Sequence, residues 1–359
     1  MSVAILALGF ACSSAELVKP PPTVAVEEQE DAQAAIDLDS GVPPRPDALV
    51  TLDGQTLTYV SELTVQIMPS DRGASILDAI RTAKTSVHMT MYLLTNAEVI
   101  SALRSAKAAG REVRVVLNKD FPVGGNANQS AFNQLQSAGV EVVWGPPAYT
   151  FTHAKTMVID GSSGWIMTMN LTATSPTTNR EYLVRITGKD EVAELEQIFV
   201  GDFTNKSVDI PGRLVVSPAS ATPLDPQRRL KALIEGATRT VDIEGESLSD
   251  TVIVDALIAA KKAGIAVRAI LNDGDPSSAQ AAAVVALKAA QIPIVRVATP
   301  DIHAKAIVVD GVRAYIGSQN FTMTSLLRNR EVGVLTDNLI EVKKVASTID
   351  GDFTKGVPY

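Results

Sequence analysis

One stretch of this chain occurs twice, and that repetition constrains the fold more than any other feature. The later copy is 301–331, DIHAKAIVVDGVRAYIGSQNFTMTSLLRNRE, and the earlier is 152–181, THAKTMVIDGSSGWIMTMNLTATSPTTNRE. In both, Lys stands two residues after His (His153/Lys155, His303/Lys305) and Asp five after Lys (Asp160, Asp310). Asn follows seventeen after each His (Asn170, Asn320), and Asn-Arg-Glu closes each copy at Glu181 and Glu331. The whole chain has 3 histidines, and two of them fill equivalent slots. Such a register marks a duplication.

The spacing predicts geometry. HAKTMVI and HAKAIVV are apolar, β-branched runs that read as buried strands. Residues i and i+2 of a strand share a face, so His and Lys of each copy point the same way. Asp-Gly then turns the chain into a second strand, which carries Thr168 and Asn170 in one copy and Ser318 and Asn320 in the other. Each hairpin therefore offers an imidazole, an ammonium, a hydroxyl and an amide. That set suits a tetrahedral oxyanion such as phosphate.

The flanking sequence repeats as well. Ala83, Ala102, Gly110 and Asn118 fall on Ala237, Ala256, Gly264 and Asn272, and Gly-Asp-Phe-Thr at 201–204 recurs at 351–354. Within each repeat, strand-like and helix-like segments alternate, which predicts an α/β fold with a mostly parallel sheet flanked by helices. Gly110, Gly139 and Gly264 stand where helix C-caps are expected. The expected organisation is a first domain over 47–211 and a second over 212–359, packed about a pseudo-twofold axis that brings the hairpins together.

Composition narrows the function. A net charge of −8 and a pI near 5.1 argue against a surface built for nucleic acid. With a single cysteine, Cys12, no internal disulfide forms. Cys12 ends the apolar run VAILALGFA, too short to span a bilayer but matching the apolar part of a signal peptide. Residues 1–12 thus read as an export segment resembling a bacterial lipoprotein signal, with Cys12 as the lipidation site. Residues 13–46, rich in Pro and acidic residues, read as a flexible tether. The expected location is outside the cytoplasmic membrane, lipid-anchored or in the periplasm, with secretion as the alternative.

HxKxxxxD followed by GSxN, present twice, resembles the phospholipase D superfamily of phosphodiesterases. The second copy matches throughout (His303, Lys305, Asp310, Gly317-Ser318-Gln319-Asn320), whereas the first reads Met167-Thr168-Met169-Asn170 in place of Gly-Ser-x-Asn. The resemblance implies that one imidazole attacks phosphorus to form a phosphohistidine while the other protonates the leaving alcohol and then activates water or a second alcohol. It assigns the nucleophile to His153 and the acid to His303, though the near-symmetry leaves the reverse open. Lys155, Lys305, Asn170 and Asn320 would hold the non-bridging oxygens, assisted by Thr168 and Ser318. Glu181 and Glu331 resemble the carboxylates that fix each histidine tautomer. No metal or other cofactor is implied, because two ammoniums would neutralise the phosphate.

Other residues read more plainly. Asp160 and Asp310, just before Gly at a hairpin, are expected to accept backbone hydrogen bonds in the turn. Tyr92 and Glu246 end equivalent strands and are expected to line the substrate entrance, and His88 reads as a core histidine. The expected activity is hydrolysis, and transphosphatidylation, of glycerophospholipids at a membrane surface by a monomer holding both half-sites. The alternatives are a phosphatidyltransferase resembling cardiolipin synthase, or an endonuclease of the same superfamily.

Overall fold

The computed structural model describes residues 50–218, 225–274 and 277–359; the expected export segment over 1–12, Cys12 and the expected tether over 13–46 lie outside the described residues. The first repeat runs β1 (Thr51–Leu52), β2 (Gln55–Thr56), β3 (Leu63–Met68), α1 (Ala74–Thr82), β4 (Ser86–Met91), α2 (Ala97–Ala108) and β5 (Glu112–Leu117). It continues with α3 (Gln129–Ser137), β6 (Glu141–Trp144), β7 (Lys155–Ile159), β8 (Ser163–Met167), α4 (Ser175–Thr178), β9 (Asn179–Ile186) and α5 (Lys189–Thr204). The second runs β10 (Val215–Ser217), α6 (Pro226–Glu235), β11 (Thr240–Gly245), α7 (Thr251–Lys262), β12 (Ala266–Asn272), α8 (Ser278–Ala289) and β13 (Ile294–Val297). It closes with β14 (Asp301–Ile302), β15 (Lys305–Val309), β16 (Arg313–Gly317), α9 (Met323–Leu327), β17 (Glu331–Thr336), α10 (Leu339–Lys355) and β18 (Val357–Pro358).

The repeat is visible in the local chemistry that starts and stops these elements. Asn96 caps α2 through its side chain, accepting from the Glu98 and Val99 amides, and Asp250 caps α7 by accepting from Ile253. Gly110 and Gly264 follow those helices at φ 84° and 90°, a left-handed conformation that strains any residue with a Cβ.

Strand pairing shows the duplication and corrects one detail. The order β9-β8-β7-β4-β5-β6 in the first sheet matches β17-β16-β15-β11-β12-β13 in the second. Among these six matching strands of each sheet, only the β4-β5-β6 and β11-β12-β13 neighbours are parallel. The His-Lys hairpin and the strand after Asn-Arg-Glu pair antiparallel, so each sheet is mixed rather than mostly parallel. The physical reason is the Asp-Gly turn, which reverses the chain where a helical crossover would have kept strands parallel.

Alternation along the strands sorts side chains into three cores. Val87, Met89, Met91, Val113, Val115 and Leu117 face outward onto α1, α2 and α3. Val241, Ile243, Val267, Ala269 and Leu271 do the same for α6, α7 and α8. The opposite faces meet in a shared centre, where Val65, Ile166 and Val184 join Ala306, Ile316 and Val334, with Leu195 of α5 and Val345 of α10. A leucine or isoleucine cut back to Ala in such a packed layer costs about 2–5 kcal/mol. Val50 and Leu57 pack into the second repeat's outer core, and the Val60 amide donates to the Leu335 carbonyl at 2.8 Å. The residues expected to open the first domain therefore pack on the second.

Two further contacts position the site. β14 adds to the first sheet parallel to β9, and Thr152 bridges in parallel to Arg330 at the head of β17. The His153 and Ala154 amides donate to the Arg330 carbonyl at 2.9 and 2.8 Å, and the His303 amide to the Arg180 carbonyl at 3.3 Å. Each histidine is thus seated against the other repeat's Asn-Arg-Glu segment.

Candidate active site

Both histidines are clamped from across the molecule. His153 Nδ1 lies 2.8 Å from both carboxylate oxygens of Glu331, and His303 Nδ1 lies 2.9 and 3.0 Å from those of Glu181. A carboxylate can only accept, so Nδ1 of each ring carries a proton and Nε2 is left for chemistry, as a lone pair in the neutral ring or as a proton donor in the imidazolium. Each glutamate serves the other repeat's histidine, a crossing that the sequence alone does not reveal. The glutamates are themselves braced: Asn179 donates to Glu181 at 3.3 Å, and Asn329 to Glu331 at 3.1 Å.

The lysines sit beneath. Lys155 and Lys305 are fully buried, and each Nζ donates to the carbonyl of its own motif's histidine at 2.6 Å. Burial pulls the Lys155 ammonium down from 10.5 to about 7, against an opposing pull from Glu331 and with a further push from Lys305. His153 is likewise lowered, by burial first, with Glu331 opposing and Lys155 reinforcing. Glu331 moves the other way: burial pushes it up, but His153 and Lys155 outweigh that and leave it below its ordinary value. A neutral imidazole beside an ionised glutamate is the state a nucleophile needs.

Asn170 and Asn320 follow the buried strand ends of β8 and β16, each with a carbonyl oxygen that meets no protein donor. Thr168 and Ser318 are placed differently from expectation. Thr168 donates to Glu181 at 2.5 Å and accepts from the Tyr182 amide at 2.9 Å, while Ser318 accepts from the Val332 amide at 3.1 Å. Both hydroxyls are fully buried, committed to Glu181 or to the backbone of the strand that carries the glutamate. They position the carboxylates rather than face a phosphate. Met167, where the motif has Gly, points the opposite way into the outer core of the first repeat.

Asp160 and Asp310 are structural, but not within the turn. Asp160 accepts from the Lys84, Thr85 and Ser86 amides at 2.7–3.0 Å, and Asp310 from Thr238, Arg239 and Thr240. Each ties its hairpin to the loop entering β4 or β11, at φ 55° and 54°, where Asp is among the better-tolerated residues. Tyr92 walls the first half-site, its ring 4.4 Å from the His153 ring and 5.0 Å from Lys155 Nζ. Glu246 stands at the matching place in the second, with Oε2 2.7 Å from Lys305 Nζ and 3.5 Å from His303 Nε2. His88, outside the site, pairs with Glu196 at 2.7 Å and stacks on Phe199.

The arginines of the two Asn-Arg-Glu segments, Arg180 and Arg330, also have a role in the structure. Arg180 binds Asp352 at 2.5 and 3.0 Å, and Arg330 binds Asp202 at 3.0 Å. Both pairs cross between repeats, and the aspartates belong to the repeated Gly-Asp-Phe-Thr. Asn118 and Asn272 also act alike: Asn118 accepts from the Thr152 amide at 2.9 Å, and Asn272 donates to the Ile302 carbonyl at 3.0 Å. Each holds the segment one residue before its histidine. The signal was the shared register of these residues in the duplication.

The family profile described as "Cardiolipin synthase, PLD-like domain" matches residues 76–203 and again 230–355. The chain belongs to the phospholipase D superfamily. Its duplicated half-sites are therefore the two copies of that superfamily's domain, held in one polypeptide. The chain is 26% identical over 314 residues to the minor cardiolipin synthase ClsB of Bacillus subtilis, covering 78% of each protein. Over 130 residues it is 32% identical to the probable cardiolipin synthase YwiE of the same organism, covering 35% of this chain and 25% of that one. Its fold resembles phosphatidylserine synthase of Haemophilus influenzae, with a TM-score of 0.64 at 10% identity over 84% of this chain and 89% of the other. It also resembles polyphosphate kinase of Porphyromonas gingivalis, with a TM-score of 0.62 at 16% identity over 86% of this chain, which spans 50% of that enzyme. Among the described residues, no helix is long and apolar enough to cross a membrane.

Proposed function

We propose that this phospholipase D superfamily enzyme transfers a phosphatidyl group from a glycerophospholipid to an acceptor alcohol, with water as a competing acceptor. The observation that carries the proposal is the crossed clamp: two imidazoles, each fixed at Nδ1 by a buried glutamate of the other repeat, over two buried lysines. Transfer is favoured over the hydrolysis expected from sequence because the relative aligned over most of its length is named a cardiolipin synthase.

In the first step the His153 Nε2 lone pair attacks phosphorus. The bond from phosphorus to the leaving alcohol oxygen breaks, and the His303 imidazolium gives that oxygen its proton. Lys155, Lys305, Asn170 and Asn320 neutralise and hold the non-bridging oxygens as charge develops. In the second step neutral His303 takes the proton of the acceptor hydroxyl, whose oxygen attacks phosphorus, and the phosphorus–nitrogen bond returns its electrons to His153. The low position of His153 keeps it unprotonated for the attack, which supports its assignment as nucleophile.

The test is turnover of mixed phospholipid vesicles by the purified full chain, with glycerol or phosphatidylglycerol as acceptor and products read by mass spectrometry. A new phosphatidyl ester is the expected result. Phosphatidic acid alone at every acceptor concentration would make the protein a hydrolase, and cleavage of DNA without lipid turnover would overturn the phospholipid assignment.

A further inference from the structure

The two half-sites differ in charge at the equivalent positions Tyr92 and Glu246. In the first, Tyr92 lays a neutral ring beside His153 and Lys155. In the second, a single oxygen of Glu246, Oε2, accepts from Lys305 Nζ at 2.7 Å and Asn320 Nδ2 at 3.1 Å and stands 3.5 Å from His303 Nε2. Those are the three groups that the second motif supplies for a phosphate oxygen. The carboxylate follows the Gly245 end of β11, its amide anchored to the Ala304 carbonyl at 3.0 Å, while its side chain is 33% exposed.

We propose that Glu246 is a built-in competitor: its carboxylate oxygen occupies the seat of a non-bridging phosphate oxygen, and a bound phosphate displaces it. The inference rests on the reading that the paired hairpins hold a phosphoryl group, but not on which molecule carries that group. Glu246 is held ionised there, since burial raises it but Lys305 and His303 outweigh that and carry it well below the ordinary carboxylate range. The consequence is selection by charge. A diester brings one negative charge and exchanges it for the carboxylate, whereas a monoester or inorganic phosphate brings up to two and meets more repulsion from a displaced but nearby Glu246. The residue therefore weakens retention of free phosphate and of monoester products.

The test is titration of inorganic phosphate into the full chain by calorimetry, with thermal melts to verify folding. Glu246→Gln is expected to bind phosphate about tenfold tighter than the unmodified protein, as removal of a competing charge pair allows. Glu246→Asp keeps the charge but draws the oxygen back by one methylene, so it too is expected to bind phosphate more tightly. Adding Lys305→Met should abolish the gain. Unchanged or weaker binding in Glu246→Gln, an aspartate variant indistinguishable from the original, or a gain that survives loss of Lys305 would each overturn the proposal. Because the ligand is inorganic phosphate, a gain without lipid turnover would leave this inference standing and remove only the phospholipid reading.

Discussion

The two repeats share a backbone plan yet solve the space behind their second hairpin strand in opposite ways. In the first, Trp165, Met167, Met169 and Leu183 fill it with apolar bulk. In the second, the matching places are Tyr315, Gly317, Gln319 and Gly333, where the Tyr315 hydroxyl donates to Gln319 at 2.5 Å and Gln319 to the Val215 carbonyl at 2.9 Å. A Cβ on Gly317 would stand 2.3 Å from the Tyr315 hydroxyl and 2.6 Å from the Gly333 backbone, so only glycine fits. The motif's Gly is thus a packing requirement of the second repeat, and its loss from the first is matched by Leu183 in place of Gly333. The difference teaches that motif letters on the outer face report packing, while those on the inner face report chemistry.

The largest effect expected tests whether the inner faces are equivalent. His153→Ala and His303→Ala should each lower turnover by about 10⁴-fold or more in a lipid-transfer assay. If one of them retains near-normal activity, the halves are not partners in a two-histidine reaction. Next come the crossed carboxylates: Glu331→Gln and Glu181→Gln should each lower kcat about 10³-fold with little change in KM. Trapping with ³²P-labelled substrate sharpens the comparison. Glu331→Gln should fail to accumulate phosphohistidine, as His153→Ala does, although it lies in the other repeat.

Stability tests the crossed arginines. Asp202→Ala and Asp352→Ala each strand a buried or half-buried guanidinium and should cost about 3 kcal/mol in urea unfolding. Loss from one alone would show that the exchange between repeats is lopsided. Asp160→Ala and Asp310→Ala orphan several backbone amides and should cost about 2 kcal/mol.

The smallest effect is in pH. In the fold Lys155 gives up its proton near pH about 7, against 10.5 ordinarily. The unfolded chain therefore holds more protons between those values, and raising pH through that window stabilises the fold. The same rise removes the charge that holds phosphate. Above pH about 7, kcat/KM should fall by about tenfold per unit while this group's contribution to the melting temperature climbs. Activity and stability that move together would exclude Lys155 as the group responsible.

Much of this site was legible in the chain because strand periodicity is strict. His and Lys two apart must share a face, and Asp-Gly must turn, whatever the rest of the protein does. Duplication then supplied the second half-site, and the equivalence of Asn118 with Asn272 and of Asp202 with Asp352 in the repeat marked residues whose work became clear only in three dimensions. The hydroxyls show where periodicity stops: it places Thr168 and Ser318 in adjacent strands but not the partner each meets.

Local sequence thus determined the hairpins, the paired imidazole–ammonium sets, the helix caps and the membership of the superfamily, since each depends on neighbours a few residues away. Tertiary structure alone decided that each glutamate serves the opposite histidine, that each arginine answers the opposite aspartate, and that Glu246 reaches into the second cradle. Those contacts join residues from 57 to 178 positions apart in the chain. No periodicity carries information over that span; only the packing of two sheets on a common core does.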